Sequence, residues 1–245
     1  MNEKKAWFEE WFESPYYDLL YNKRDDKEAA FFLDNLLERL SPPRHAKILD
    51  MPCGKGRHSH YLNQKGFNVL GADLSQRSIA YAKQYESESL SFIVQDMRDP
   101  LPDSGFDLAL NLFTSFGYFD DPTDNHKVLK VIKNSLVEEG LFVLDYLNGE
   151  KLQHQLVANE LIKVGKASFH IERKLENGFV IKNIHLTAPE IQQSFQEKVR
   201  LFSLQNFEEM FAHCHLHLKE VVGDYSFMPY VPESSDRLIF VLAKK

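Results

Sequence analysis

The chain has 245 residues, 43% hydrophobic and 27% charged, with a formal net charge of −7 and two cysteines. That length accommodates one large domain, or one domain with a modest insertion, and two cysteines do not make a disulfide framework. The acidic balance lacks the basic stripe that phosphate recognition calls for, no apolar run approaches the roughly 18 residues of a membrane span, and the start MNEKKAWFEEWFES has no secretory apolar core, so neither nucleic acid nor membrane is expected as a partner and the expected setting is the reducing cytoplasm.

Residues 5–40 are rich in aromatic residues and helix formers, and Ser41-Pro42-Pro43 ends that region. AKILD (46–50) is a short apolar run followed by a loop with two glycines. HSHYLNQKG reads as a helix closed by Gly66. FNVLGAD is a second strand ending at Asp73, and Ser75 is placed to cap a helix through SIAYAKQY. LSFIVQD and FDLALNLF supply a third and a fourth strand. Residues 124–136 set Val128, Leu129, Ile132 and Leu136 at helical spacing, and LFVLDYL is a fifth strand. Apolar strands alternating with helices predict an α/β fold whose parallel sheet is covered on both faces.

After residue 147 the pattern changes. Segments 168–174 and 179–187 alternate apolar and polar residues around Glu176-Asn177-Gly178, a hairpin signal, and 195–201 alternates again. This predicts an antiparallel β-meander inserted as a unit, with Phe169, Ile171, Phe179, Ile181, Phe195 and Val199 in one phase. A helix over 204–214 and strands at 218–225 and 237–243 return to the main sheet. The expected organisation is N-terminal helices and a cofactor-binding α/β core over 1–150, the meander over 151–203 as a lid or dimer surface, and completion of the core over 204–245.

The stretch ILDMPCGKGRHS carries the first chemical signal. Glycines let backbone approach a ligand, and the following helix offers free N–H groups. Gly54-x-Gly56-x-x-Ser59 resembles a dinucleotide fingerprint without its third glycine, which is weak evidence by itself. The acids add to it. Asp50 ends the first strand, a poor neighbour for pyrophosphate but a good one for an ammonium group. Asp73 ends the second strand, where a carboxylate accepts from both ribose hydroxyls, and Asp96 ends the third, able to accept from an adenine amino group while Met97 packs on the ring. Three acids along the carboxyl edge of the sheet point to an adenosine that bears positive charge, and S-adenosylmethionine fits.

ILDMPCGKGRHS, VLGADLS, FIVQDMRD and NLFTSFGYF resemble the ordered motifs of class I S-adenosylmethionine-dependent methyltransferases. Pro52 departs from the pattern, standing where the family often has its first glycine. More loosely, YYDLLY, DMRD and the late β-insertion are similar to small-molecule N-methyltransferases acting on nucleotide-linked amino sugars. The resemblance implies a seven-stranded Rossmann-like sheet, mostly parallel with an antiparallel last strand. It implies cofactor contacts from Asp50, Met51, Pro52, Cys53, Gly54 and Gly56, from Asp73, Leu74 and Ser75, from Asp96, Met97 and Arg98, and from Asn111, Leu112 and Phe113. It also implies that Tyr21, with Arg24, closes over the methionine end.

Methyl transfer is an in-line displacement that needs no metal and no covalent nucleophile, so the absence of a catalytic triad does not count against it. An amine acceptor must still lose a proton. Tyr17, Tyr118, His126 and Tyr225 are candidates, with Tyr118 and His126 first because they follow the fourth strand. His58 reads as a packing or orienting residue, and Cys53 as a small buried one. His213 and His217 in HCHLH share a helical face, but no acid or cysteine set accompanies them, so no metal is expected. A nicotinamide-dependent oxidoreductase would want a third glycine at position 59 and gives Asp96 no role. A non-catalytic cofactor-binding protein remains an alternative. The partners expected are a small-molecule methyl acceptor and, through the meander, a second copy of the chain.

Overall fold

The computed structural model describes residues 6–21 and 26–244. Two short helices come first, α1 (Trp7–Trp11) and α2 (Pro15–Leu20). The Ser14 hydroxyl accepts the Tyr16 N–H at 3.2 Å and Pro15 supplies a preset first position, so α2 starts where the sequence places a cap. α3 (Asp26–Leu40) leads to β1 (Lys47–Asp50), α4 (Arg57–Gln64), β2 (Asn68–Asp73), α5 (Gln76–Ala82), β3 (Leu90–Val94) and β4 (Phe106–Asn111). α6 (Pro122–Ser135) is capped by Asp121, whose carboxylate accepts the Thr123 N–H at 2.9 Å, and β5 (Leu136–Leu147) follows directly.

The main sheet has seven strands. β3, β2, β1, β4 and β5 lie side by side and parallel, and two late strands, β10 (Leu216–Val222) and β11 (Arg237–Lys244), complete the order β10-β11-β5-β4-β1-β2-β3. β11 runs antiparallel to both of its neighbours, as the C-terminal strand was expected to. The pleat sends alternate residues to opposite faces, and each face has its own core. Leu49, Ala109 and Phe240 belong to one core with α6 and α8 (Leu204–His213); Ile48, Leu108 and Ile239 belong to the other with α3, α4 and α5.

Between β5 and α8 the chain forms α7 (Gly149–Gln155), whose N-terminus is capped by Asn148. It then builds a separate antiparallel sheet of β6 (Asn159–Val164), β7 (Ala167–Glu176), β8 (Phe179–Ala188) and β9 (Ile191–Arg200). The insertion has four strands rather than the three expected. β6 was missed because it is an edge strand with Leu161 exposed, so its alternation does not sort apolar from polar. The expected phase is also corrected. Ile184 stands opposite both Ile171 and Phe195, and Val180 opposite Val199, whereas Phe179 and Ile181 stand opposite Arg200 and Lys198 on the other face. The face carrying Phe169, Ile171, Ile184 and Leu186 packs on Trp11 and Leu20, with the Trp11 and Phe195 rings 4.4 Å apart. α8 ends at His213 and His217 lies in β10, so those two histidines do not share a helix.

Candidate functional site

β1 ends by delivering Asp50 into the sheet edge at 1% exposure. Ser59, on the first turn of α4, donates its hydroxyl to Asp50 Oδ2 at 2.6 Å. This is the work of the residue standing where a dinucleotide fingerprint has its third glycine. Asp50 Oδ1 is buried and finds no hydrogen-bond partner among the described residues. Burial, opposed by the Ser59 hydrogen bond and reinforced by the charge of Asp73, pushes the Asp50 carboxyl up to about 7. Asp73, at the end of β2, accepts the Gly54 N–H on Oδ2 at 2.8 Å and the Ser75 N–H on Oδ1 at 2.9 Å; burial raises its carboxyl as well. The two loop glycines do different jobs, although both have left-handed backbone. A Cβ at Gly54 would meet nothing within 4 Å among the described residues, and Gly54 lines the cleft described below. A Cβ at Gly56 would lie 2.7 Å from the Phe92 ring, so Gly56 serves the packing of the loop on β3 rather than ligand approach.

Asp96 lies just beyond β3. Arg98 folds back on it, donating its backbone N–H to Oδ1 at 2.8 Å and Nη2 to Oδ2 at 2.6 Å, while Nη1 reaches Asp124 at 3.0 Å. That pairing holds Asp96 below the usual carboxylate range despite partial burial. Arg98 therefore pins Asp96 and does not itself line the cleft. Asn111 and Ser75 also stand behind the wall: Asn111 donates to the Met51 carbonyl at 3.0 Å, and Ser75 caps α5 by accepting the Ser78 N–H at 3.0 Å.

These strand ends open into a cleft of about 1620 Å³. Met51, Pro52, Cys53, Gly54, Asp73, Leu74, Asp96, Met97, Leu112 and Phe113 line it, while Asp50 stands buried behind them. Burial pushes the Cys53 thiol well up, which removes it as a nucleophile. α1 and α2 with the residues that end them contribute Trp7, Phe8, Phe12, Tyr17 and Tyr21, and the inserted sheet contributes Arg173, Val180, Lys182, Glu197 and Val199. Asp18 of α2 ties that roof to the floor through an ion pair with Lys55 of the glycine loop at 2.9 Å and another with Arg77 of α5.

Sequence reasoning missed the link across the roof. Glu197 Oε1 accepts the Tyr21 hydroxyl at 2.6 Å and the Trp11 indole N–H at 2.7 Å. Lys182 donates to the Tyr21 oxygen and stands 3.4 Å from Glu197 Oε2. A signal was available: Lys182 and Glu197 interrupt the inward apolar phases Val180-Ile184-Leu186 and Phe195-Val199. Arg24 lies outside the described residues. Tyr118 lines the cleft with its hydroxyl donated to the Thr114 carbonyl at 2.6 Å, and Tyr225 lines it with its hydroxyl 3.2 Å from Asp145 Oδ2. His58 stacks on Phe113, 5.0 Å between centroids. His126 does not join them. It faces α8, its ring 4.8 Å from that of His213, and burial with the neighbouring His213 lowers its pKa.

An orphaned buried carboxylate oxygen at Asp50, an open cradle at Gly54 and residual lone pairs on Asp73 fit an adenosine carrying an amino group. Among the described residues no helix is long and apolar enough to cross a membrane, and no three metal-ligating side chains gather. Residues 43–198 match the methyltransferase-domain family. The YqeM protein of Bacillus subtilis (strain 168), named as a methyltransferase, is 27% identical over 215 residues, 84% of this chain and 86% of that one. The fold resembles an S-adenosylmethionine-dependent methyltransferase from Clostridium acetobutylicum ATCC 824 (TM-score 0.79, 23% identity, 94% of this chain and 96% of that one). It also resembles the sugar N-methyltransferase KedS8 from Streptoalloteichus sp ATCC 53650 (TM-score 0.72, 20% identity, 94% and 92%).

Proposed function

Because the chain belongs to the methyltransferase-domain family, we propose that it uses S-adenosylmethionine to methylate a small-molecule amine by in-line displacement. The observation that carries the small-molecule reading is the cleft. At about 1620 Å³ it exceeds the roughly 300–1,000 Å³ of a single-ligand pocket, so it has room for two reactants side by side. One half is walled by Gly54, Asp73 and Met97, with the Asp50 carboxylate buried just behind that wall, the other by aromatic residues of the N-terminal segment and by the inserted sheet. An amine acceptor is supported by the KedS8 likeness and by that aromatic half of the cleft.

Bound there, S-adenosylmethionine supplies a methyl group on positively charged sulfur. The chain's own residues do the rest. Asp50, ionised, would face the ligand's ammonium; the second lone pairs of Asp73 would take the ribose hydroxyls; and Asp96, held in place by Arg98 at the cleft edge, would accept from an adenine amino group. Leu112 and Phe113 would wall the methionine end, and Tyr21 would close over it. Tyr118 and Tyr17 are the residues proposed to position the acceptor and carry away its proton. Holding the lone pair in line with the methyl group supplies much of the rate, and the aromatic roof keeps water out.

The test is calorimetry with S-adenosylmethionine and S-adenosylhomocysteine, followed by an amine screen read by S-adenosylhomocysteine release. Asp73→Ala should weaken cofactor binding by roughly 1–3 kcal/mol, the cost of unpaired hydrogen-bonding groups. NAD should not compete. Turnover of hydroxyl or carboxyl acceptors with no amine turned over would reject the amine reading while keeping methyl transfer.

A further inference from the structure

Phe113 and Thr114 are adjacent residues with φ of +58° and +61°. Left-handed backbone is costly for bulky and β-branched side chains, and two in succession persist only where the surroundings hold them. The holder is Asp145, fully buried on β5 behind the cleft wall. Its Oδ2 accepts the Phe113 N–H at 2.7 Å, and its carbonyl accepts the Thr114 N–H at 3.0 Å. From β11, Arg237 donates Nε to Asp145 Oδ1 at 2.7 Å and Nη2 to Thr114 Oγ1 at 2.9 Å. One carboxylate and one guanidinium thus fix the turn from both sides. The turn in turn presents the Phe113 ring to His58 of the glycine-loop helix, and its Thr114 carbonyl receives the Tyr118 hydroxyl. Stability alone does not account for the pair, since an ion pair built on a buried carboxylate is often no better than apolar residues of the same shape.

We propose that the Asp145–Arg237 pair, its carboxylate buried and its guanidinium at the edge of the cleft, is a positioning element of the transferase: it holds the Phe113–Thr114 turn left-handed and so sets the cleft wall between cofactor and acceptor. Its structural part stands on the geometry; its functional consequence rests on the methyl-transfer reading.

Arg237→Lys keeps the charge but offers one nitrogen where the fork uses two. It is best compared in Thr114→Ala and Thr114→Gly backgrounds. Both lack the hydroxyl that Arg237 touches, but only glycine takes a positive φ without strain. In the alanine background Arg237→Lys should raise the Kd for S-adenosylhomocysteine by about fivefold or more, and in the glycine background by less than about twofold. Amide exchange over 112–118 should accelerate in the first background and stay at its own baseline in the second. A merely structural pair predicts an equal fall in Tm in both backgrounds with Kd and local exchange untouched. That result, or an equal change of Kd in the two backgrounds, overturns the proposal. If the unsubstituted protein binds no S-adenosylhomocysteine, the methyl-transfer reading falls, and the exchange comparison still decides whether the pair holds the turn.

Discussion

A valine at Gly54 and a valine at Gly56 should fail in different ways. Both impose left-handed backbone on a β-branched residue, at roughly 1–2 kcal/mol each. At Gly54 the side chain enters open space in the cleft, so S-adenosylhomocysteine binding should vanish in calorimetry while the melting temperature falls only by that backbone cost. At Gly56 the side chain also drives into Phe92, adding about 1–3 kcal/mol of overpacking, so the fold itself should weaken. Equal melting temperatures for the two variants would refute this division of labour. Asp50 gives a second prediction at this scale. Its carboxyl, raised to about 7, is protonated in the free protein at pH 6, yet an ammonium group calls for the ionised form. Cofactor affinity should therefore tighten from pH 6 to pH 8, by roughly tenfold per unit below the pKa, with a proton released at pH 6. Calorimetry in buffers of different ionisation enthalpy measures that proton, and Asp50→Asn should abolish it. A proton still released by Asp50→Asn would assign the linkage to Asp73, the other raised acid at the site.

Elements set how these residues are assembled. α1, α2 and the inserted sheet form one roof, joined by the Trp11–Phe195 contact and by Glu197. Deleting the whole insertion would strip the apolar partners of Trp11 and Leu20, so a point substitution is the cleaner probe. Glu197→Ala leaves the mostly buried Lys182 without its carboxylate, at about 1–3 kcal/mol of stability. It should depress acceptor turnover far more than cofactor affinity, which should stay within about tenfold because Asp50, Asp73 and Asp96 lie outside the insertion. A loss of cofactor affinity as large as that of Asp73→Ala would instead mean that Glu197, through Tyr21, is as important to the cofactor as the strand-end acids. What the sequence disclosed at this scale follows from periodicity. The strands of the parallel sheet are apolar on both faces and stand out, and the acids at their ends are legible because they break those runs. His126 misled because chain order puts it after β4, while the helical period turns it toward α8. The roles of Gly56 and Asp145 were illegible for a common reason: each acts on a partner distant in sequence, and no local pattern announces a contact made by the fold.

For the molecule as a whole, acid and ligand act on one stability curve. The free folded state keeps the Asp50 carboxyl protonated up to about 7, whereas the unfolded chain ionises it near 3.9. Between those values the folded state holds the extra proton, so stability that is complete below the unfolded pKa drains away as pH rises through 7. Asp73 is raised as well and works in the same direction. Asp96 and Asp124, both lowered, oppose it on the acid side: their contribution is present above the unfolded carboxylate pKa and disappears as pH falls through their folded values. S-adenosylhomocysteine should reverse the neutral-pH loss, because its ammonium would be met by the very carboxylate whose ionisation destabilises the free protein. At a hundredfold excess over Kd, binding adds about 2.7 kcal/mol. For a chain of this size that corresponds to a rise in Tm of roughly 5–10 °C. Thermal melts at pH 6, 7 and 8 with one fixed ligand concentration should show the shift growing with pH, while the ligand-free Tm declines over the same range. A shift of equal size at pH 6 and pH 8 would mean that Asp50 is not the group facing the ligand's amino end, and its unpaired oxygen would then need another explanation.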